Sequence, residues 1–296
     1  MLIVGVIILS LQDSLIKYMA SETSFWQLQF IRSIGNIILL FLIAKLTNGI
    51  DILFPIKWKP VYLRALTMTT CMFCFFAASP KLSFAQMAAG LYTFPLFVSF
   101  LAVIFLNERV GVWRLFALIL GSFGALLILE PWSKNFTYLQ FLPIMAGFFF
   151  ACNIILIRKY CREESVMSLT LAVGVMFFIS ALLGILFFEL IFQNNFLKEI
   201  SPFVFIGWPS LTLIIFTFCF SCSILNIIGN ILLAKAYQTA ESSWLAPMDY
   251  SYLVFAAIWG KIFFGVWPTF LNLIGMFFIA FSGILIALRE QRKNEA

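Results

Sequence analysis

The sequence contains no histidine and few charged residues: lysine, arginine, aspartate and glutamate together make up 11% of its 296 residues. Without histidine, the chain has no imidazole for general acid–base catalysis or for metal ligation. A soluble protein of this length would need far more polar surface. Hydrophobic residues instead account for 63% of the chain, and the mean hydropathy is +1.04. This composition predicts an all-α integral membrane protein embedded in the lipid bilayer.

The apolar runs are continuous and lack the alternation of a membrane β-barrel, which favours helices as the spanning elements. A helix needs roughly 20 residues to cross the hydrocarbon core, and ten segments are long enough. The predicted transmembrane helices lie near residues 2–20, 26–44, 62–79, 84–106, 113–130, 139–157, 166–190, 209–234, 242–264 and 269–288.

Basic residues are distributed unevenly between the two sides that these helices define. With the N-terminus inside, the outer side keeps Lys17, Lys81, Lys134, Lys198 and Lys261. The inner side collects Lys45, Lys57, Lys59, Arg64, Arg109, Arg114, Arg158, Lys159, Arg162, Lys235, Arg289, Arg292 and Lys293. Because cytoplasmic loops carry the excess of lysine and arginine, both termini are predicted to be cytoplasmic, in the inner (plasma) membrane. Topology thus explains the net charge of +6, and no nucleic-acid partner is expected.

The chain contains an internal repeat. The matched positions are Ala78 with Ala236, Ala88 with Ala246, Tyr92 with Tyr250, and Phe105 with Phe263. We predict a first five-helix repeat at 1–130, an outer linker at 131–138, a second repeat at 139–288 and a cytoplasmic tail at 289–296. Five helices return the chain on the opposite side, so the two repeats are inverted relative to each other, an arrangement typical of secondary transporters. Duplication that only enlarges a stable bundle is the alternative.

A proline lies close to each of the matched tyrosines. Pro95 lies three residues after Tyr92, and Pro247 lies three residues before Tyr250. Because proline cannot donate the helical hydrogen bond, both the fourth and the ninth spans are predicted to be interrupted. Interrupted helices at corresponding places indicate a binding cavity, although a packing kink would leave the same pattern.

Charged side chains lie well inside the apolar spans. A central charge costs about 2.5–3.5 kcal/mol on insertion scales unless it is paired or hydrated, so Asp13, Arg32 and Asp249 need partners or water. Asp13 precedes Lys17 by one helical turn, an order that favours a local ion pair. Arg32 could hold Asp13 ionised across the helix interface, or it could clamp an anionic group of a solute with its planar guanidinium.

Asp249 lies among aromatic residues, including Trp244 and Tyr250. An acid beside aromatic faces suits a cationic or heterocyclic solute, and an acid within a span is also a candidate proton carrier, with protons as the coupling ion. The alternative is a structural hydrogen bond that the aspartate accepts from a tyrosine or from Asn230.

Amide side chains complete the predicted binding site. Gln86 and Asn230 are candidates for substrate contact, whereas the other amides within spans are expected to join helices. Those amides are Gln12, Gln29, Asn36, Asn153 and Asn226. The pairs Cys71 with Cys74 and Cys219 with Cys222 resemble a thiolate metal site, but thiols in the middle of a span are usually apolar packing residues. No metal and no cofactor are predicted.

Several of these residues together resemble the EamA family of the drug/metabolite transporter superfamily. They are Asp13 and Lys17 at the end of the first helix, Arg32, the stretch from Ala78 through Tyr92 to Asn107, Glu108 and Arg109, and Ala246, Pro247 and Tyr250. Val266 departs from the pattern, since the second repeat of the family usually carries a glutamate there. The resemblance implies a ten-helix secondary transporter of small organic metabolites, and parts of it are similar to a subgroup containing S-adenosylmethionine carriers.

The predicted mechanism is alternating access by a monomer or homodimer. Tyr92, Trp244 and Tyr250 would line a midplane cavity, and Asp249 would meet the positive group of a cationic or amphoteric substrate, or a proton. Asp13 with Arg32 would form an outer-side polar cluster that rearranges. Export of amino acids or other metabolites, or flux through an uncoupled channel or scramblase, are the alternatives. An enzyme is not expected, because the chain has no recognisable catalytic motif.

Overall fold

The computed structural model describes residues 1–47, 49–106, 112–130, 132–133, 137–191, 198, 201–239 and 248–294. All regular secondary structure in these ranges is helical. The helices are α1 (Leu2–Met19), α2 (Phe25–Leu46), α3 (Trp58–Ala77), α4 (Phe84–Leu91), α5 (Phe94–Leu106), α6 (Val112–Leu129), α7 (Leu142–Tyr160), α8 (Val166–Leu186), α9 (Pro202–Phe205), α10 (Leu213–Thr239), α11 (Ser251–Phe264) and α12 (Phe270–Asn294). Short 3-10 turns lie at Ile50–Leu53 and Tyr138–Phe141, and a π-helical segment, Phe187–Ile191, follows α8.

Within the described residues, seven helical segments are long and apolar enough to cross a membrane. They are Leu2–Met19, Phe25–Leu46, Trp58–Ala77, Phe84–Leu106, Tyr138–Tyr160, Val166–Ile191 and Leu213–Leu233. Shorter apolar helices lie at Leu115–Leu129, Ser251–Phe264 and Phe270–Leu285. The chain is therefore an all-α, multi-pass membrane protein, and the prediction from composition is confirmed.

Some helices extend beyond the apolar runs that predicted them. Helix α3 begins at Trp58, ahead of the predicted start near residue 62, and α10 continues to Thr239, past the predicted end near 234. The reason is that hydropathy detects only the part of a helix inside the hydrocarbon, whereas the hydrogen-bonded helix continues into the headgroup region. Trp58, exposed at the start of α3, is of the type enriched at that interface.

Serine residues start two of the long helices. Ser24 accepts a hydrogen bond from the backbone N–H of Gln27 at the start of α2 (3.1 Å), and Ser165 accepts one from the N–H of Ser168 at the start of α8 (2.9 Å). These caps satisfy donors that the first helical turn leaves unpaired. The same hydroxyls donate to distant loops, from Ser24 to the carbonyl of Gly207 (2.8 Å) and from Ser165 to the carbonyl of Ile52 (2.5 Å).

The fourth predicted span is interrupted, as the sequence predicted. Helix α4 ends at Leu91, α5 begins at Phe94, and Pro95 occupies the second position of α5. Proline is tolerated there because the first N–H groups of a helix have no intrahelical partner. The corresponding break at Pro247 lies outside the described residues.

The helices of the two halves of the chain interleave. Helix α1 packs on α10, α3 on α7, α2 on α8 and α6 on α12. Close approach is possible at Gly90 of α4, where an added Cβ would lie 2.4 Å from the Cβ of Pro143 in α7. Small residues at such crossings let helix backbones approach closely in membrane proteins. Fully buried phenylalanines, among them Phe75, Phe76 and Phe84, fill the core around the break between α4 and α5.

Candidate functional site

A cavity of about 230 Å³ lies between the two halves of the bundle. It reaches Asp13 in the second half of α1, and it also includes Val6, Arg64 and Thr170, which lie in the first two turns of α1, α3 and α8. The starts of α3 and α8 adjoin each other, since Lys57 N donates to a carboxylate oxygen of Glu164 (2.7 Å). The cavity therefore extends from the middle of the bundle toward the face on which these helices begin.

Asp13 is held by two hydrogen bonds at the inner end of this cavity. The hydroxyl of Tyr252 donates to Asp13 Oδ2 (2.6 Å), and Gln12 Nε2 donates to Oδ1 (2.8 Å). Hydrogen bonds to an ionised group are stronger than neutral ones. The carboxylate is therefore fixed in orientation and joins α1 to α11.

Lys17 does not pair with Asp13, so the local ion pair that the sequence left open is not formed. Its ammonium donates to the backbone carbonyl oxygens of Ser79 and Leu82, the latter at 2.7 Å. It also lies 5.2 Å from the ring centroid of Phe264, a cation–π contact. Helix α3 has ended just before these carbonyls, which leaves them as acceptors without helical partners. Lys17 therefore closes the end of the bundle opposite the cavity opening.

Arg32 is buried in the wall of the cavity and has a side-chain exposure of only 3%. Its Nε and Nη1 atoms make no hydrogen bond to any part of the chain that the structure describes. The guanidinium carbon lies 5.4 Å from the ring centroid of Phe177. Of the two roles that the sequence left open for Arg32, an ion pair with Asp13 is not formed: across the described ranges, the single contact of opposite charges within 4 Å joins Lys57 and Glu163 at the surface.

Arg64 provides a second guanidinium in the cavity wall. Its Nη1 atom donates to the backbone carbonyl of Leu169 (2.8 Å), near the start of α8. This arginine therefore has a backbone partner that links α3 to α8, in contrast to Arg32.

Asp249 lines the same cavity. Its backbone carbonyl accepts a hydrogen bond from the hydroxyl of Tyr92 (3.1 Å), a residue of the break between α4 and α5. Within the described residues no hydrogen bond or ion pair involves its carboxylate. The tyrosine hydrogen bond that the sequence left open therefore exists, but it goes to the backbone and leaves the carboxylate available.

Aromatic rings form the wall beside the two aspartates. The rings of Tyr92 and Tyr252 stack at a centroid distance of 5.1 Å and an interplanar angle of 24°, and Phe94 lies 5.7 Å from Tyr92. All of these residues line the cavity. Acids and aromatic faces together can bind a cation or a flat heterocycle.

Tyr250 lies behind this wall and does not line the cavity. Its ring contacts that of Tyr92 at 5.6 Å. Its hydroxyl fills the space beside Gly283 of α12, where an added Cβ would come within 1.5 Å of the hydroxyl oxygen. Tyr250 therefore supports Tyr92 from the side of α12.

The remaining predicted site residues do not all lie in the cavity. Asn230 lines the cavity and donates from Nδ2 to the carbonyl of Asn226 (2.7 Å). Gln86 lies elsewhere, because its Oε1 atom accepts from the backbone N–H of Ser83 (3.1 Å) in the capping box of α4. Trp244 is outside the described residues, as are Ala246 and the stretch 107–109.

The sequence prediction of the site omits Arg64 and Tyr252, and it assigns the amides Gln12, Asn36 and Asn226 to helix packing, although all five residues line the cavity. Arg64 counts among the inner-side basic residues in the sequence prediction, although it lies within the predicted span 62–79, six residues after Trp58 in α3. Tyr252 was not selected, although it follows Asp249 by three residues, one helical turn. Both residues lie within the predicted spans 62–79 and 242–264, so the signals that identify them are a charge inside a span and the one-turn spacing from Asp249. The thiols Cys71, Cys74, Cys219 and Cys222 are buried and unbridged, and no metal-binding group of three or more ligands occurs in the described ranges.

Comparison with known proteins identifies relatives that are named as transporters. A riboflavin transporter of Vibrio cholerae is 26% identical over 71% of this chain and 64% of its own length. An S-adenosylmethionine uptake transporter of Rickettsia bellii is 26% identical over 68% of this chain and 62% of that protein. A pseudopaline exporter of Pseudomonas aeruginosa is 21% identical over 96% of this chain and 93% of that protein. The chain thus spans less than two thirds of the length of the riboflavin transporter.

The family assignment comes from the first half of the chain. Residues 1–130 match the model of the EamA-like transporter family. This range contains Asp13, Arg32 and Tyr92, on which the sequence resemblance depended. Over residues 1–130 the chain is therefore similar to the EamA-like transporter family, and the predicted resemblance is confirmed.

Proposed function

We propose that the protein is a secondary active transporter that moves a small organic metabolite, cationic or amphoteric, across the inner membrane by alternating access. The observation that carries this proposal is the cavity between the halves of the bundle, with its polar and aromatic wall and its extension toward one face. The names of its relatives support it, since they include transporters for uptake and for export.

The proposed architecture is ten transmembrane helices in two inverted repeats, residues 1–130 and 139–288. Seven long segments and three shorter apolar helices supply the elements, with α4 and α5 forming one interrupted span. The packing pattern supports the inversion. Exchanging the halves converts the contact of α3 with α7 into that of α10 with α1, and the contact of α3 with α8 into that of α10 with α2. All four contacts are present, as expected for a pseudo-two-fold axis.

Residues at corresponding places of the fold behave alike in the two halves. The equivalent tyrosines Tyr92 and Tyr250 contact each other at 5.6 Å, as residues close to a two-fold axis would. The capping serines Ser24 and Ser165 each bond to a loop of the other half. These pairs support a function that depends on both halves equally.

The positive-inside distribution supports cytoplasmic termini. Under that topology, the cavity extends toward the cytoplasm, and Lys17 with its carbonyl partners closes the outer side. This arrangement corresponds to an inward-facing carrier. The outward-facing state would require the contact between Lys17 and Leu82 to open.

The proposed roles of the site residues follow from their partners. Asp249 and Tyr92 contact the positive or heterocyclic part of the substrate, with Asn230 as a further polar group of the same cavity and Tyr250 as support. Asp13 and Arg32 belong to a polar cluster that rearranges between states, and Trp244 stays a predicted cavity residue. Protons are the proposed coupling ion, with Asp249 as their carrier.

Counterflow in proteoliposomes tests the proposed function. Vesicles loaded with an unlabelled solute should accumulate the labelled solute transiently, with saturation, because a carrier exchanges one bound molecule for another. A pore or scramblase, the second candidate, would give flux without saturation or counterflow. S-adenosylmethionine, riboflavin and amino acids are the first solutes to test. Linear, unsaturable flux of all of them would overturn the carrier.

A further inference from the structure

We propose that Arg32 forms a carboxylate subsite of the cavity, so that the transported solute is amphoteric, with its anionic group at Arg32 and its positive group at Asp249. This inference rests on the proposed transport function. It narrows the substrate class from cationic or amphoteric solutes to solutes that carry both charges.

The first argument is that Arg32 lacks a protein partner. The side chain is 3% exposed, yet Nε and Nη1 have no acceptor among the residues that the structure describes. A buried donor without an acceptor is costly, and a charged group inside a membrane span is more so. Arg32 lies in the wall of the cavity, so a solute bound there can supply the missing hydrogen-bond acceptor. Such an acceptor explains why the chain contains this buried arginine despite its energetic cost.

The second argument concerns the competing acceptors. Asp13 accepts hydrogen bonds from Tyr252 and Gln12, and Nε and Nη1 of Arg32 make no hydrogen bond to it. The other guanidinium, Arg64, donates to the carbonyl of Leu169. The Nε atom of Arg64 also lacks an acceptor, but Arg32 is the cavity arginine for which the described residues provide no side-chain hydrogen bond at all.

The third argument is the type of anion. A guanidinium is planar and matches the two oxygens of a carboxylate better than an ammonium does. The ring of Phe177, 5.4 Å from the guanidinium carbon, covers the group, which favours an in-plane ligand over one stacked on that side. A planar carboxylate therefore fits better than a compact halide.

Asp249 supplies the opposite charge. Its carboxylate makes no hydrogen bond or ion pair within the described residues, and it lines the same cavity beside the rings of Tyr92 and Tyr252. A solute with only a positive group would leave Arg32 unpaired. A solute with both charges satisfies both groups.

Pairs of solutes that differ only by the carboxylate test the inference. Suitable probes are S-adenosylmethionine with its decarboxylated analogue, arginine with agmatine, and methionine with 3-methylthiopropylamine. Binding to the purified full-length protein is measured by calorimetry, and transport by counterflow. The wild type should bind the acid member of at least one pair about tenfold or more tightly than the decarboxylated member, since truncating one side of a buried charge pair has such effects.

Substitutions then assign that preference to Arg32. The variant Arg32→Gln should lose the preference, Arg32→Lys should retain part of it, and Lys59→Gln, the same charge change at an exposed position of α3, should leave it intact. Because Arg32 has no protein acceptor, Arg32→Gln should unfold without solute at a temperature equal to or above that of the wild type. Arg32→Lys provides a folded comparison if Arg32→Gln is poorly expressed.

Three results would overturn the subsite. They are equal binding of acid and decarboxylated members by the wild type, binding by no acid member, and a preference that survives in Arg32→Gln. Saturable counterflow of a solute without a carboxylate, unchanged by Arg32→Gln, would remove this inference but leave the carrier intact. Loss of counterflow for all solutes in the wild type would remove the proposed function itself.

Discussion

Asp13 and Asp249 belong to the same cavity, and both interrupt apolar sequence, but their surroundings differ. Asp13 accepts hydrogen bonds from Tyr252 and Gln12. Asp249 takes part in the network through its backbone carbonyl, which accepts from Tyr92. The comparison teaches that an acid inside a membrane can be either a structural link or an available ligand, and that its partners distinguish the two.

The largest expected effect is the loss of transport when Asp249 is substituted. Asp249→Asn should reduce counterflow of a cationic or amphoteric solute by about hundredfold, because it removes the charge that faces the solute. The thermal unfolding midpoint should change little, since the carboxylate has no described protein partner. Asp51→Asn, at an exposed acid outside the cavity, is the matched control. Wild-type transport by Asp249→Asn would remove Asp249 from the binding site.

Asp13→Ala should act mainly on stability. It leaves the hydroxyl of Tyr252 and the amide of Gln12 without their acceptor, which should lower the free energy of unfolding by about 2 kcal/mol. Reversible unfolding in mixed detergent micelles measures this, with the exposed Glu22→Ala as control. If Asp13→Ala kept wild-type stability and lost transport, the two aspartates would have the same role after all.

Tyr252→Phe sharpens the comparison by removing one hydrogen bond of Asp13 while keeping the ring that stacks on Tyr92. We expect a loss of about 1 kcal/mol in the free energy of unfolding, measured in the same way. The exposed Tyr18→Phe should have no effect. A change larger than that of Asp13→Ala would show that the ring contact depends on the hydroxyl.

The smallest effect is expected outside the cavity. Gln86→Ala should lower the free energy of unfolding by about 0.5–1 kcal/mol, because it removes one arm of the capping box of α4. Counterflow should keep its wild-type affinity for the solute. Weakened solute binding at unchanged stability would restore Gln86 to the binding site that the sequence predicted.

The sequence predicted the features that depend on the lipid environment and on chain geometry. Continuous apolar runs identify the helices, and Pro95 predicts the break between α4 and α5, because a missing N–H has the same consequence in any context. Side-chain partners were harder to predict. Lys17 bonds to carbonyl groups far along the chain, and Tyr250 turns toward Gly283. Both depend on how helices from the two halves pack, which local spacing does not encode.

The charges of the cavity bear on how the membrane voltage acts on a carrier of this kind. When Asp13, Arg32, Arg64 and Asp249 are all ionised, their charges cancel, and a zwitterionic cargo adds none. Moving one elementary charge through a potential of 100 mV changes the energy by about 2.3 kcal/mol. A site whose net charge is zero, with or without the substrate, moves no net charge across the membrane in either half of the transport cycle. The membrane potential therefore does not favour one state of such a site over the other. Voltage would then enter only through a co-transported ion.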